Sequence, residues 1–539
     1  MKYSLYKYIL IVGVVAAMGC NTKELQDLNI NPQTEKEIDL NLLLTSAQLG
    51  VASGGTTGDN RYIDWRTNIG MCAYAIQHLA FLSGGIAPGD KYTENFETSY
   101  APWEYLYADP LKYLGEIIYQ IDSGYAQGKN NNLKQATRIM KAFTFHRLTD
   151  YYGSIPYFNA LQNQQKNFFP TYDKQKDIYV DLLKELDEAT AAFTTADDTD
   201  GLAAADMYYR GNIDKWKRWG YSLMLRLALR ISNVDAATAN AYVAKAVAGG
   251  VFTGNDDNIF VGMAEGPDTW VNQNGISRAF IPGDGGQSSF LSKTLIDFLK
   301  GTNPASTADD DPRLMILTSG IGTWDANTGF NATKTDPLDQ KGMPNGQDVG
   351  MLKTLEGLPA TADFNPDLYY SKINVKLLDR SEPYPIMNYG EVEFYLAEAA
   401  ERGLGGLTPA QAKAHYDAGV KASMQMLVTH DPSFVVTDAQ VASYLTTYPY
   451  GVTKTALAMI ADQLWVNHFL NWWEAWSDYR RSTLPALVPT NYPNNITNGV
   501  IPQRLNYPAA EVSGNPNYSS GATQPNTWTT KVWWAGGPE

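Results

Sequence analysis

Apolar residues recur at three- and four-residue steps in four long stretches of the chain. The first two are Ile178, Leu182, Leu186, Ala189 and Phe193, then Trp216, Trp219, Leu223, Leu227 and Ile231. The others are Val392, Tyr395, Leu396, Ala399 and Ala400, and a long run through Leu457, Ala461, Leu464, His468, Trp472 and Trp476. That spacing puts each set on one face of an α-helix, and each face needs a partner surface to bury it. Fainter versions cover 61–82, 101–122, 132–150, 235–248 and 410–428, and a first helix is expected near Leu42–Val51. The expected fold is therefore mainly α, with about ten helices. Several are paired across short Gly- or Pro-containing connections, so the helices should stack as hairpins that bury their faces on their neighbours. The W-x2-L-G signature of tetratricopeptide repeats is absent, so spacing alone leaves the repeat type open.

Between the helical blocks lie 251–287, 301–385 and 482–539, rich in Gly, Pro, Asn, Asp, Thr and aromatic residues. Loops of this length are uncommon in compact domains and are usually functional where they occur. They predict a second, loop-rich subdomain with a few short strands laid against the helices. The expected division is a helical scaffold mainly over 41–250 and 388–480, with the loop-rich, ligand-binding part mainly over 251–387 and 482–539. Composition agrees with a folded body, since 44% hydrophobic and 18% charged residues is an ordinary globular mixture. A net charge of −15, without a basic run beyond the N-terminus, argues against nucleic acid as a partner.

The N-terminus sets an expected compartment. Lys2 and Lys7 precede the apolar run Tyr8–Met18, which is too short to cross ~30 Å of hydrocarbon and reads as a secretory signal. It ends Ala17-Met18-Gly19-Cys20, and small residues before a lone cysteine resemble a bacterial lipobox. The expectation is a signal peptide over 1–19, acylation of Cys20 and a polar tether over 20–40. Removing 1–19 takes away two lysines and no acid, so the charge moves from −15 to −17. With Cys20 lipidated, Cys72 has no disulfide partner, and stability must come from the core.

A screen for chemistry finds no H-E-x-x-H, C-x-x-C, Walker A or G-x-S-x-G pattern, and the five histidines are scattered singly. His146 and His468, each within a helical stretch, read as packed residues. A glycosidase needs two carboxyl groups held ~5–9.5 Å apart. Glu391 and Glu393 diverge on their helix, while Glu391 and Glu398 share a face at i, i+7 and read as a solvated or Arg-paired surface. Asp309-Asp310-Asp311-Pro312-Arg313 reads as a turn rather than a cation site. No catalytic residue, metal or cofactor is expected.

Two segments then point to a family. Residues 138–157, RIMKAFTFHRLTDYYGSIPY, resemble the helix followed by "YGdiPy" of SusD/RagB-type nutrient-binding lipoproteins, and 385–403, PIMNYGEVEFYLAEAAERG, resembles that family's "y.EveFilAEAa.rG" helix. Gly211-Asn212 and Lys215-Trp216 leading to Leu225-Arg226-Leu227, and Trp473–Arg481 before a tail ending Val532-Trp533-Trp534, match in the same order. Ile501–Arg504 and Tyr507-Pro508 suit the SusD-like subgroup. The resemblance covers essentially the whole mature chain. It implies four tetratricopeptide-type helical pairs packed against an irregular ligand-binding half, a lipid anchor in the outer membrane and a SusC-like TonB-dependent transporter as partner. Gly153, Pro156, Ala397, Ala399 and Ala400 in these motifs serve turns and close helix approach, so the motifs are expected to be scaffold rather than site.

Oligosaccharides present flat C–H faces and hydroxyl rims, which suit an exposed aromatic plane flanked by Asn, Asp, Gln or Arg. Three loops offer this: Gly84–Tyr100 with Tyr92, Asn95 and Phe96; Gly266–Arg278 with Trp270, Asn272, Asn274 and Arg278; and Ser319–Asn331 with Trp324, Asp325 and Asn327. The candidate ligand-binding residues are Tyr92, Asn95, Trp270, Asn274 and Trp324, whereas Trp103, Trp216 and Trp472 are expected in the core. The resulting expectation is a non-catalytic lipoprotein of the outer membrane, facing the cell exterior, that captures oligosaccharide and hands it to the barrel. Oligopeptide binding of the RagB kind is the alternative. A lipid-anchored α-helical glycoside hydrolase is a third reading, and a periplasm-facing anchor is the alternative placement.

Overall fold

Helices form where the apolar spacing places them. The computed structural model describes residues 39–53, 61–82, 87–126, 130–162, 167–194, 202–266, 271–280, 289–325, 329–522 and 524–539. Cys20 and the signal and tether segments lie outside these residues. The longer helices of the first half are α1 (Leu40–Val51), α2 (Ile63–Ala73), α3 (Phe96–Leu106), α4 (Lys112–Asp122), α5 (Asn131–Tyr152), α6 (Gln175–Ala192), α7 (Ile213–Ile231) and α8 (Ala236–Gly249). The second half adds α9 (Tyr389–Glu401), α10 (Pro409–Gln425), α11 (Asp438–Thr447), α12 (Ala456–Asn467) and α13 (Trp472–Ser482). Residues Asn41–Glu539 make one compact unit.

Successive helices pack as expected of hairpins: α4 on α5, α5 on α6, α6 on α7, α7 on α8, and α9 on α10. Cross-packing of α7 on α9 and of α9 on α12 joins the early and late hairpins into one scaffold. Close approach has a residue-level cause in the α9–α10 turn. There Gly405, at φ +65°, lies against α8, and a Cβ on it would come 2.4 Å from Val243.

Two expectations are corrected. The run Leu457–Trp476 is two helices, α12 and α13, separated at 468–471 where Leu470 takes φ 77°. Asn68 of α2 explains the break: its amide donates to the Leu470 carbonyl (3.2 Å) and its carbonyl oxygen accepts from the Trp473 N–H (2.9 Å). The backbone groups freed by the interruption are thus satisfied by tertiary partners. The stretch 61–82 is likewise not one helix. After α2, whose hydrogen bonding is of the wide i→i+5 type, the chain turns at Gln77 (φ 58°) and enters a strand, β1 (Leu79–Ala80).

The loop-rich half holds β2 (Ile259–Val261), β3 (Phe290–Leu291), β4 (Thr318–Asp325), β5 (Gly329–Lys334), β6 (Ser371–Ile373) and β7 (Tyr384–Met387). They form an antiparallel sheet in the order β5-β4-β6 and two small antiparallel pairs, β1 with β3 and β2 with β7. The β1–β3 pair stitches the loop half onto the chain leaving α2.

The scaffold core is aromatic and, unusually, charged. Trp216, Trp219, Trp472, Trp473, Trp476 and Trp534 are buried. Around them Arg226 Nε meets Glu391 (2.6 Å), Arg230 meets Glu474 and Asp478 (3.2 Å), and Arg481 meets Glu398 (2.6 Å). Asp150 at the end of α5 accepts from the Trp534 indole N–H (2.8 Å) and faces His146 (3.2 Å) and Arg230 (3.6 Å). These pairs tie α5, α7, α9, α13 and the C-terminal tail together. Glu391 and Glu398 of the 385–403 segment are therefore Arg-paired and buried, and the segment is structural. So is YGSIPY: Gly153 ends α5 at φ 85°, and Ser154 O accepts from the Tyr507 hydroxyl (2.6 Å).

Candidate functional site

A carbohydrate surface needs aromatic rings held rigidly enough to stack without being buried. The first turn of α2 and the body of α3 meet that need. Tyr62 and Trp65 lie three residues apart and so share a helix face, with ring centroids 5.9 Å apart and planes at 22°. Tyr105 of α3 also stacks on Tyr62, at 6.2 Å and 27°. All three rings are half-buried. The Arg61 guanidinium sits 4.2 Å above the Tyr62 ring, and that of Arg66 sits 4.9 Å from Trp65. Arg66 also pairs with Glu97 in the first turn of α3 at 2.9 Å, which fixes the two helices to one another. Phe96, beside Glu97, is 78% exposed. The result is a short row of near-parallel rings rimmed by guanidinium, phenol and carboxylate groups.

The rear of α2 explains its rigidity. Asp64 is buried and accepts from Asn68 (2.8 Å) and the Tyr384 hydroxyl (2.9 Å). Burial pushes its carboxyl up, against the pull of the neighbouring Arg147 charge and these hydrogen bonds. The short helix Gly275–Phe280 packs on the same turn, close enough that a Cβ on Gly275 would come 3.0 Å from Asp64 and 3.1 Å from Arg61.

The residues expected from sequence fall in different places. Asn274 is buried: its side-chain oxygen accepts from the N–H groups of Ile276 (2.9 Å) and Ser277 (3.1 Å), and its amide donates to Glu382 O (2.8 Å). It starts the helix that backs α2, one layer behind the rings. Asn272 O accepts from the Ala264 N–H (2.8 Å) and the Gln273 amide donates to Glu265 O (2.8 Å), tying 264–265 to 272–273. Trp270 itself lies outside the described residues.

Tyr92 was expected to offer an exposed face and does not, being 1% exposed. It takes a left-handed conformation (φ 54°), its hydroxyl accepts from the Thr490 N–H (3.3 Å) and its carbonyl from that of Ile496 (2.9 Å). Burial pushes its phenol up to about 12. It fastens the tail to the scaffold. Asn95 caps α3 by accepting from the Glu97 N–H at 2.9 Å, which sets the turn that presents Phe96 and Glu97. Trp324 is half-buried on β4 and meets Phe330 across the β4–β5 ladder, centroids 6.3 Å apart, making a second aromatic pair beside 326–328, which lie outside the described residues. Of the tryptophans expected in the core, Trp216 and Trp472 are fully buried, whereas Trp103 is half-buried in a cluster with Tyr107, Tyr152, Tyr172 and Tyr507. The aromatic and cationic alternation Arg61-Tyr62-Ile63-Asp64-Trp65-Arg66 carried the missed signal, but it is hidden in what reads as an unremarkable helix start.

Glu391, Glu398 and Glu474 are held by arginines in the core, and Asp311 is bound by Arg313 (2.6 Å) at a turn before a short helix. Among the described residues no group of three or more His, Cys, Asp or Glu is placed to hold a metal ion, and no helix is long and apolar enough to cross a membrane.

Comparison with known proteins then places the chain. The SusD-like family model, described as "Starch-binding associating with outer membrane", matches residues 32–508. A solved "chitin-binding protein" is 29% identical, superimposes with a TM-score of 0.75, and aligns over 92% of this chain and 99% of its own. A structure described as "Bacteroidetes AC2a SusD-like" is 25% identical with a TM-score of 0.76, over 92% of this chain and all of its own. A chitin-binding SusD homolog from Flavobacterium johnsoniae, 23% identical with a TM-score of 0.68 over 91% and 98% of the two chains, shares the fold. No curated protein matches the chain significantly. The family match across most of the sequence, on a scaffold of helical hairpins beside a loop-rich half, makes this chain a member of the SusD-like family of outer-membrane-associated binding proteins.

Proposed function

We propose that this protein is a non-catalytic capture protein for oligosaccharide, anchored through acylated Cys20 on the outer face of the outer membrane, which delivers its ligand to a SusC-like TonB-dependent transporter. The observation that carries the glycan reading is the row Tyr62–Trp65–Tyr105, three near-parallel half-buried rings rimmed by Arg61, Arg66 and Glu97. Pyranose C–H faces stack on such rings while the rim groups bond hydroxyl and acetamido groups. The 29% identical chitin-binding protein, aligned along nearly its full length, supports β-linked N-acetylglucosamine chains as the first ligand class to try. We assign Trp270 and Trp324 as further stacking residues, and Asn95 and Asn274 as residues that position the turns.

A shallow ring surface suits affinities in the micromolar range, about −8 kcal/mol at 1 μM, which allows release into a transporter. The test is binding of residues 21–539 to chito-oligosaccharides, malto-oligosaccharides and oligopeptides, with every sample checked for product. Glycan binding without turnover is expected. Binding of peptides alone would replace this reading with peptide capture, and turnover would make the protein a hydrolase.

A further inference from the structure

The loop-rich half contains a groove of about 620 Å³, on elements separate from the α2–α3 rings and within the ~300–1,000 Å³ range of ligand sites. One wall is the short helix Lys293–Leu299 continuing through Lys300 and Gly301, and the other is the segment 340–344 with Leu355 and Glu356. The walls are locked together. The Lys293 N–H donates to Met343 O (2.8 Å) and the Met343 N–H to Leu291 O (2.9 Å). A Cβ on Gly342 would come 2.1 Å from the Ser292 oxygen, so only glycine permits this approach.

Three lysines and two acids line this groove in a chain whose net charge is −15. Lys293 and Lys341 are exposed at the rim and paired with Asp297 and Glu356. Lys300 is different. It is 8% exposed, and its ammonium donates to the carbonyl oxygens of Leu338 (2.8 Å) and Gln340 (3.2 Å). Asp310 senses its charge from farther away. A buried cation whose hydrogen bonds go to neutral oxygens is under-compensated, and an anion entering the groove would supply the missing charge. Pro304, Pro344 and Leu355 add apolar surface for sugar C–H groups.

We propose that this groove binds an anionic saccharide unit, a uronate or sulfated sugar, with Lys300 at its floor and Lys293 and Lys341 at its rim. The proposal rests on the reading that the chain binds saccharide, but it uses different elements and a different chemistry from the aromatic row.

The test titrates residues 21–539 with oligogalacturonate, a sulfated disaccharide, inorganic sulfate and a neutral chito-oligosaccharide. The variants are Lys300→Gln, the rim pair Lys293→Gln with Lys341→Gln, and Tyr62→Ala. The rim variant keeps the test valid if Lys300→Gln does not fold. The expected result is binding of the anionic sugars that weakens about tenfold in the rim variant and falls with added salt, while neutral-sugar binding is unchanged. Tyr62→Ala is expected to do the reverse. Absence of anionic-sugar binding, or binding indifferent to the rim variant, overturns the groove proposal whatever the neutral sugar does. Equal affinity for inorganic sulfate and the sulfated disaccharide overturns its saccharide part. Absence of neutral-sugar binding by the unmutated chain, with anionic-sugar binding present, would count against the aromatic row and leave the groove standing.

Discussion

Tyr62 and Trp65 stand out by geometry: rings at 22° to one another, half-buried and backed by Asp64, whose Oδ1 accepts from Asn68 and Tyr384. A stacked aromatic contact contributes about 0.5–1.5 kcal/mol beyond its buried area, so Trp65→Ala should weaken glycan binding by at least about two- to twelvefold without lowering the melting temperature, as read by titration calorimetry and thermal denaturation. Tyr92→Phe should behave oppositely, leaving affinity unchanged, because its hydroxyl meets Thr490 rather than solvent. Two buried histidines contribute to the pH response. Burial lowers His78 well below its ordinary value, helped by His468, and lowers His146 against the pull of Asp150. A histidine whose folded pKa lies below its unfolded one contributes stability in full above about pH 6.5, and that stability is lost as the pH falls below it. The melting temperature should therefore drop between pH 6.5 and 5. The His78 ring packs at 52° against Trp465, centroids 4.4 Å apart, and its ring nitrogens have no hydrogen-bond partner among the described residues. His78→Leu should flatten part of that slope, and an unchanged slope would contradict the assignment.

At the scale of elements, periodicity located the long helices because burying one face of a helix demands it. The apolar spacing through Trp216, Trp219, Leu223 and Leu227 became α7, and that through Ile178, Leu182 and Leu186 became α6. It failed where a tertiary partner decides the backbone. The spacing through Leu464, His468 and Trp472 stays in phase across the α12–α13 break, and only Asn68, some 400 residues earlier, reveals it. Helix α11 had a readable signal that spacing missed, the reciprocal Thr437–Gln440 capping box. Removing the Asn68 amide should leave the Leu470 carbonyl and the Trp473 N–H unsatisfied in the core. Asn68→Leu is expected to cost about 2–4 kcal/mol by chemical denaturation. Among the ion pairs, Arg230→Met strands Glu474, Asp478 and Asp150 without their common cation. Breaking a buried pair from one side costs about 3–5 kcal/mol, so this variant should be among the most destabilising in the scaffold.

At the scale of the whole molecule, the family and the mainly α fold with few short strands were legible in the sequence. The motifs that announce the family, YGSIPY and the EVEFYLAEAAERG helix, are scaffold because close packing and buried ion pairs restrict them. The aromatic loops show no such pattern. Tyr92 and Asn274 looked like ligand residues by type and loop, and the structure uses both to fasten segments together. The half-buried rings Tyr62 and Trp65 were concealed at a helix start. The central claim is that these rings form the glycan platform. Its most direct test is calorimetric titration of a chito-oligosaccharide into residues 21–539, side by side with the Tyr62→Ala, Trp65→Ala double variant. Saturable, turnover-free binding by the parent chain that the folded double variant loses is the predicted result. Equal affinity in both would contradict the account.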